Sequence, residues 1–158
     1  MTEKAAHRSR WLTADVIFGA SVVSGLVLNY FWPMSFGFPA DSPTRHLIGA
    51  PLLTIGGVII YLSQKALVAA NQPTAPGQPT TTIVTSGPYR FSRNPLYLGL
   101  LLCYCGLGVA LDIPWLLILA LPTMLVTQRL LIYPEERYLE EKFGAEFVQY
   151  KARVRRWL

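Results

Sequence analysis

Four apolar runs alternate with polar stretches along the chain: Trp11 to Trp32, Leu47 to Ala70, Leu96 to Leu111 and Ile113 to Ile132. A helix that crosses the hydrocarbon core of a bilayer needs about 20 predominantly apolar residues. The first run has that length and one charge, Asp15; it is too long for a cleavable signal and no small-residue cleavage site follows it. The second is interrupted near its end by Gln64 and Lys65, and a lysine there can reach the headgroups. The third is short for a perpendicular crossing. The fourth contains Pro122, which predicts a kink, and Arg129, expected near its end or facing inward. A turn around Asp112 and Pro114 joins the last two as a helical hairpin. The predicted helices are about 11–32, 47–70, 95–111 and 113–133.

The stretches between them differ in character. Pro33 to Pro43 is a turn-rich connection with Gly37, Pro39 and Asp41. The 71–94 segment carries Pro73, Pro76, Gly77, Pro79, the Thr80-Thr81-Thr82 run, Gly87 and Pro88, without helical periodicity. A loop of that length in a small protein points to function. After Tyr133 the pattern turns amphipathic: Leu139, Phe143 and Phe147 recur every fourth residue among Glu140, Glu141, Lys142 and Glu146. This predicts a helix over 134–150 that lies along an interface or caps a cavity. Pro134 suits its first turn, Glu135 and Glu136 suit its positive end, and Gly144 should weaken or break it.

Composition narrows the class. Of 158 residues, 52% are hydrophobic and 15% charged, and the mean hydropathy is +0.35. Soluble domains carry about 25% charged residues, and disordered chains carry few apolar ones. The expectation is one domain of all-α integral membrane type, about four transmembrane helices plus a C-terminal amphipathic cytoplasmic helix. A net charge of +5 and a pI near 9.4 would in a soluble protein raise nucleic-acid binding. Here the basic residues flank apolar runs: Lys4, Arg8 and Arg10 at the amino end, Arg90 and Arg93 in the loop, and Lys151, Arg153, Arg155 and Arg156 in the tail. That distribution excludes a nucleic-acid surface and places the amino terminus, the 71–94 loop and the tail in the cytoplasm. A bacterial inner membrane fits best. Cys103 and Cys105 fall on roughly opposite sides of a helix, which argues against a disulfide or a metal clamp.

Polar groups at a membrane edge are functional candidates by default. They concentrate in Ser86 to Tyr97 and in Arg129 to Glu136, which the predicted hairpin brings to the same face of the membrane. Each has a purely structural reading as well. Asn94 and Pro95 are a helix cap and first turn, Tyr89 and Tyr97 interfacial aromatics, and Glu135 and Glu136 dipole partners.

The two segments together, GPYRFSRNPLYLG and, about 35 residues on, PEERYLEEKFGAEFVQYKARVRRWL, resemble the isoprenylcysteine carboxyl methyltransferase and phospholipid N-methyltransferase superfamily of membrane-embedded S-adenosylmethionine enzymes. The resemblance covers roughly residues 80–158 and implies a cofactor pocket walled by the central loop, the start of the third helix and the acidic pair. It assigns cofactor contacts to Thr81, Thr82, Ile83, Val84, Tyr89, Asn94, Pro95, Leu96 and Tyr97, and the acidic ligand to Glu135. A carboxylate accepts two hydrogen bonds and suits the ribose diol. Two positions depart from the pattern. Asn94 stands where many members have His and cannot titrate, so it is no general base. Leu131 stands where eukaryotic isoprenylcysteine enzymes carry a substrate-contacting Arg, which weighs against a prenylcysteine acceptor.

Methyl transfer from a sulfonium is an in-line displacement with an activated donor, so alignment and exclusion of water outweigh acid–base work. Arg129 and Glu136 are the catalytic candidates: Arg129 to orient an acidic or polar headgroup, unless it only snorkels to phosphates, and Glu136 as one of the few bases within reach. His7 and His46 lie outside these segments. The expected partner is a lipophilic small molecule or lipid. The alternatives are an NADPH-dependent membrane reductase, whose sterol-reducing representatives resemble this carboxy-terminal architecture, and a non-catalytic membrane protein.

Overall fold

The computed structural model describes residues 13–39, 43–73 and 79–158. Lys4, His7, Arg8, Arg10 and Trp11, with Asp41 and the Pro76-Gly77 pair, lie outside the described residues. Six α-helices follow one another: α1 (Ala14–Phe31), α2 (Thr44–Ala69), α3 (Pro95–Ala110), α4 (Pro114–Thr127), α5 (Tyr133–Phe143) and α6 (Ala145–Arg153). A 3-10 turn (Gly87–Arg90) precedes α3, and a π-turn (Gln128–Ile132) joins α4 to α5. The protein is an all-helical membrane protein.

Among the described residues three helices are long and apolar enough to cross a membrane: Ala14–Phe31, Thr44–Ala69 and the continuous Pro114–Phe143 stack. The remaining expected span, α3, has 16 residues. At 1.5 Å per residue it covers roughly 24 Å of a core about 30 Å thick. It is held by close backbone packing against α2. A Cβ on Gly56 would fall 2.6 Å from the Gly99 carbonyl oxygen, and one on Gly49 would fall 2.8 Å from that of Gly106. The two glycine pairs share a seven-residue spacing and run in opposite directions, so α2 and α3 are antiparallel. Small residues at such a seam let two backbones meet where no hydrophobic effect drives helix association in lipid.

On the other side of α3, Phe18 of α1, Tyr104 of α3 and Ile113 and Leu116 at the start of α4 form the buried core. Phe18 and Tyr104 stack edge to face at 5.7 Å. Ser21 Oγ lies 2.7 Å from the Tyr104 hydroxyl and 2.6 Å from Thr123 Oγ1, a polar link among three helices. At the end remote from the 3-10 turn, Asp112 sits at φ 56° in the α3–α4 turn. Its carboxylate accepts from Ser35 Oγ at 2.6 Å and the Phe36 N–H at 2.8 Å, fastening the connection after α1 to the hairpin. These bonds hold the Asp112 carboxyl below its usual range.

The structure revises the sequence-based boundaries at three places. The expected border between a span ending at 133 and a helix beginning at 134 is no break. The Tyr133 N–H donates to the Gln128 carbonyl, one residue further back than in an α-helix. Pro134 has no N–H and its ring clashes with the carbonyl four residues before it in a regular helix; the wider turn accommodates both. The 134–150 helix is two helices, because Gly144 adopts φ 52° and ψ −121° and breaks it. And Asn94, though at the N-cap of α3, makes no side-chain cap. A long-range acceptor captures its amide instead.

Candidate active site

The loop before α3, the first turns of α1 and α3, the last turns of α2, and α5 and α6 converge at one end of the bundle around a cavity of about 340 Å³. The loop is shaped from its root by Gln72, 5% exposed. Its Nε2 donates to Thr81 Oγ1 at 2.6 Å and to the Ala70 carbonyl at 3.1 Å, while its Oε1 accepts the Thr81 N–H at 2.8 Å. Thr81 is thereby turned to Gln72 and does not line the cavity, whereas Thr82, Ile83 and Val84 do. Gly87, at φ 58°, starts the 3-10 turn that brings Tyr89 to the wall.

The tail stitches this segment in place. The Arg93 N–H donates to the Arg155 carbonyl at 3.0 Å. Ser92 Oγ and Asn94 Nδ2 both donate to the Arg156 carbonyl, at 3.1 and 3.2 Å. This is the acceptor that takes Asn94 from the expected capping role. Pro95 then begins α3, and Asn94, Pro95, Leu96 and Tyr97 all line the cavity.

The adjacent acids face different partners. Glu135 lines the cavity and accepts from the Tyr97 hydroxyl at 3.2 Å. Glu136 is buried and taken by the Arg156 fork, Nε to Oε1 at 3.1 Å and Nη2 to Oε2 at 2.7 Å, with Arg93 Nη2 3.4 Å from Oε1. The Arg156 guanidinium also lies over the Tyr133 ring, 4.7 Å from its centroid. Arg129 is exposed and does not line the cavity.

α6 closes the site. Phe147, Tyr150 and Val154 form a small core with Ile83, Leu139 and Phe143 around them, so the amphipathic face rests on the loop. The Tyr150 hydroxyl donates to the Tyr89 carbonyl at 2.7 Å. Burial pushes the Tyr150 phenol up to about 12 against the opposing pull of Arg93. Burial, with the Glu135 charge, pushes Tyr89 up as well. Both phenols are neutral at physiological pH. The sequence reading missed Gln72, Tyr150 and the structural part of Arg156. Only Tyr150 left a signal, as the extension of the Phe147 stripe by three residues.

A match to the phospholipid methyltransferase family covers residues 44–146, from the start of α2 into α6. The chain belongs to the phospholipid methyltransferase family. That family is part of the superfamily to which the two motif segments are similar. Its members are methyltransferases, and the long apolar helices fit a membrane enzyme. The cobalt-zinc-cadmium resistance protein CzcN of Cupriavidus metallidurans is 32% identical over 118 residues, 70% of this chain and 46% of that protein. An uncharacterized protein of Haemophilus influenzae is 42% identical over 65 residues, 40% of this chain and all of that protein. The chain thus spans about half the length of the Cupriavidus relative. No solved structure matches it.

Proposed function

We propose that this chain, as a single membrane-embedded domain, transfers the methyl group of S-adenosylmethionine to a lipophilic acceptor at the cytoplasmic membrane face, in a bacterial inner membrane with both termini inside. The observation that carries the reading is the Tyr97–Glu135 pair in a cavity also lined by Thr82, Ile83, Val84, Tyr89 and Asn94. Its volume, about 340 Å³, lies in the range of small-molecule sites, roughly 300–1,000 Å³. The donor set suits a nucleoside joined to an amino acid: a carboxylate for a vicinal diol, apolar walls from Ile83, Pro95 and Leu100, and polar groups around them.

The bound cofactor supplies a methyl group already activated on a sulfonium. The chain's residues position and enclose. Glu135, oriented by Tyr97, accepts the ribose hydroxyls. Thr82 to Val84 and Pro95 to Leu96 wall the nucleoside, and Thr81 acts through Gln72 on the shape of the loop. Leu139 and Phe147 exclude water from above, which favours a displacement whose cost is alignment. Asn94 and the neutral tyrosines offer no strong base, so the acceptor reacts as a nucleophile in the form in which it arrives. We give Glu136 a positioning role, since Arg156 engages both its oxygens, and Arg129 the headgroup at the exposed surface. The relatives' names identify no acceptor.

Calorimetry on detergent-solubilised protein tests the proposal, with S-adenosylmethionine, S-adenosylhomocysteine and NADPH as ligands and Glu135→Ala as control. Micromolar binding of both adenosyl compounds, lost in the variant, is expected. Binding of NADPH alone would replace the proposal with the reductase, and a folded protein that binds none of the three would favour the non-catalytic reading.

A further inference from the structure

Arg93 is fixed from both sides and buried. Its own N–H is bonded to Arg155, and the side chains of Ser92 and Asn94 are bonded to Arg156. The backbone at Arg93 is thereby held against the tail. The side chain, 9% exposed, lines the cavity. One of its three nitrogens, Nη2, lies 3.4 Å from Glu136 Oε1. The other two, Nε and Nη1, have neither a hydrogen-bond partner among the described residues nor solvent contact.

Glu136 cannot make up the deficit. Arg156 already takes both of its oxygens, at 3.1 and 2.7 Å, so two guanidinium cations share one carboxylate. Neither of the other two acids on the wall, Asp15 and Glu135, bonds to Arg93, and Glu135 is taken by Tyr97. Buried donors left without acceptors are costly, and more so when the group is charged. Native proteins keep few of them, and those they keep call for a ligand, a water or a strain to explain them. A guanidinium is recognised by planar or tetrahedral oxyanions, carboxylate or phosphate. We infer that Arg93 is an anion-binding residue that holds a carboxylate or phosphate group of the molecule bound in this cavity.

Two molecules of the proposed reaction bring such a group: the cofactor through its amino-acid carboxylate, and a phospholipid acceptor through its phosphate. The choice of nucleoside probes rests on the methyltransferase reading; the site itself rests on Arg93. The experiment measures, on the full chain in nanodiscs, the affinities of S-adenosylhomocysteine, of 5′-methylthioadenosine, which lacks the carboxylate, and of dihexanoyl phosphatidic acid. Wild type is compared with Arg93→Gln and Arg93→Lys, with thermal unfolding as a check of the fold.

In Arg93→Gln, one anionic ligand should lose roughly tenfold to a hundredfold in affinity, the range for hydrogen bonds to charged groups, while methylthioadenosine binds unchanged. Loss for S-adenosylhomocysteine identifies the cofactor carboxylate, and loss for phosphatidic acid identifies a phosphate. Arg93→Lys, which keeps the charge, should recover part of either. Unchanged affinity for all three ligands would overturn the inference, and so would equal losses for the two nucleosides with phosphatidic acid unaffected. Failure of wild type to bind either nucleoside would overturn the methyltransferase reading alone, because Arg93-dependent binding of phosphatidic acid would still support the anion site.

Discussion

The hydroxyl of Tyr97, in the first turn of α3, donates to the carboxylate of Glu135 in α5 across 3.2 Å and 38 residues of sequence. The bond closes the hairpin of α3 and α4 at its open end, where the π-turn delivers Glu135 to the cavity wall. A carboxylate that has to accept a diol in one orientation gains from a fixed donor on its flank.

The two side chains should therefore be coupled in ligand binding. Glu135→Ala should weaken S-adenosylhomocysteine binding by about 1.5–3 kcal/mol, and Tyr97→Phe by about 0.5–1.5 kcal/mol. The double variant should lose less than the sum, since Tyr97 acts through Glu135. Calorimetry on the four proteins of the cycle measures this. Strictly additive losses would mean that Tyr97 touches the ligand on its own account.

The α2–α3 seam makes a prediction about stability. A Cβ at Gly99 would sit 2.8 Å from the Gly56 carbonyl oxygen and 2.7 Å from Ile60, positions that cannot yield without separating the helices. Gly99→Ala should destabilise the protein by about 1–3 kcal/mol, the usual cost of overpacking. Gly57→Ala, beside Gly56 on α2 but facing open space, should be neutral or slightly stabilising. Thermal unfolding in detergent compares them, and equal effects would deny the seam.

What was legible in the sequence follows from which forces are local. The Asp112 turn and the Gly144 break are set by backbone propensity within a few residues, and both appear where the pattern put them. That the Ser86–Tyr97 and Arg129–Glu136 segments could meet followed from the hairpin, whereas the assignment of Thr82 to the same site came from the family resemblance. Local rules failed where a distant partner competed. Asn94 had every credential of a cap, and its amide went to a carbonyl 62 residues away. Arg93 and Arg156 read as topological charge because a count of flanking cations says nothing of which carboxylate each one meets. The glycines of α2 and α3 carried a seven-residue period, but hydrophobic periodicity marks a buried face without naming what is buried against it.

Tyr150 gives a pH dependence with a definite sign. Its phenol, bonded to the Tyr89 carbonyl at 2.7 Å, is raised by burial from 10.0 to about 12. The fold thus favours the neutral form, and this contribution is complete below about pH 10 and lost as pH rises through about 12. Tyr150→Phe should cost about 0.5–1.5 kcal/mol at neutral pH. It should also flatten the alkaline fall in stability over that window. Unfolding measured against pH for both proteins provides the comparison; parallel curves would show that Tyr150 ionises as freely in the fold as outside it.

The tail contributes the Arg156 side chain and two backbone carbonyls, and these separate experimentally. Arg156→Ala removes the fork on Glu136 and the stacking on Tyr133 but keeps the carbonyl that Ser92 and Asn94 use. Its cost should be about 1.5–3 kcal/mol, with Arg156→Lys intermediate, because an ammonium keeps the charge without the planar fork. Truncation after Arg153 also removes the Arg155 and Arg156 carbonyls that hold the Arg93 backbone and the Ser92 and Asn94 side chains. Three further hydrogen bonds to the motif before α3 are then lost, so S-adenosylhomocysteine affinity should fall more than in Arg156→Ala. Thermal unfolding and calorimetry on the same preparations read both effects. A truncated protein that binds with wild-type affinity would remove the tail from the site. Glu136→Gln separates positioning from chemistry: loss of stability and of affinity together fits a scaffold held by Arg156. Loss of turnover with both intact would put Glu136 against the acceptor.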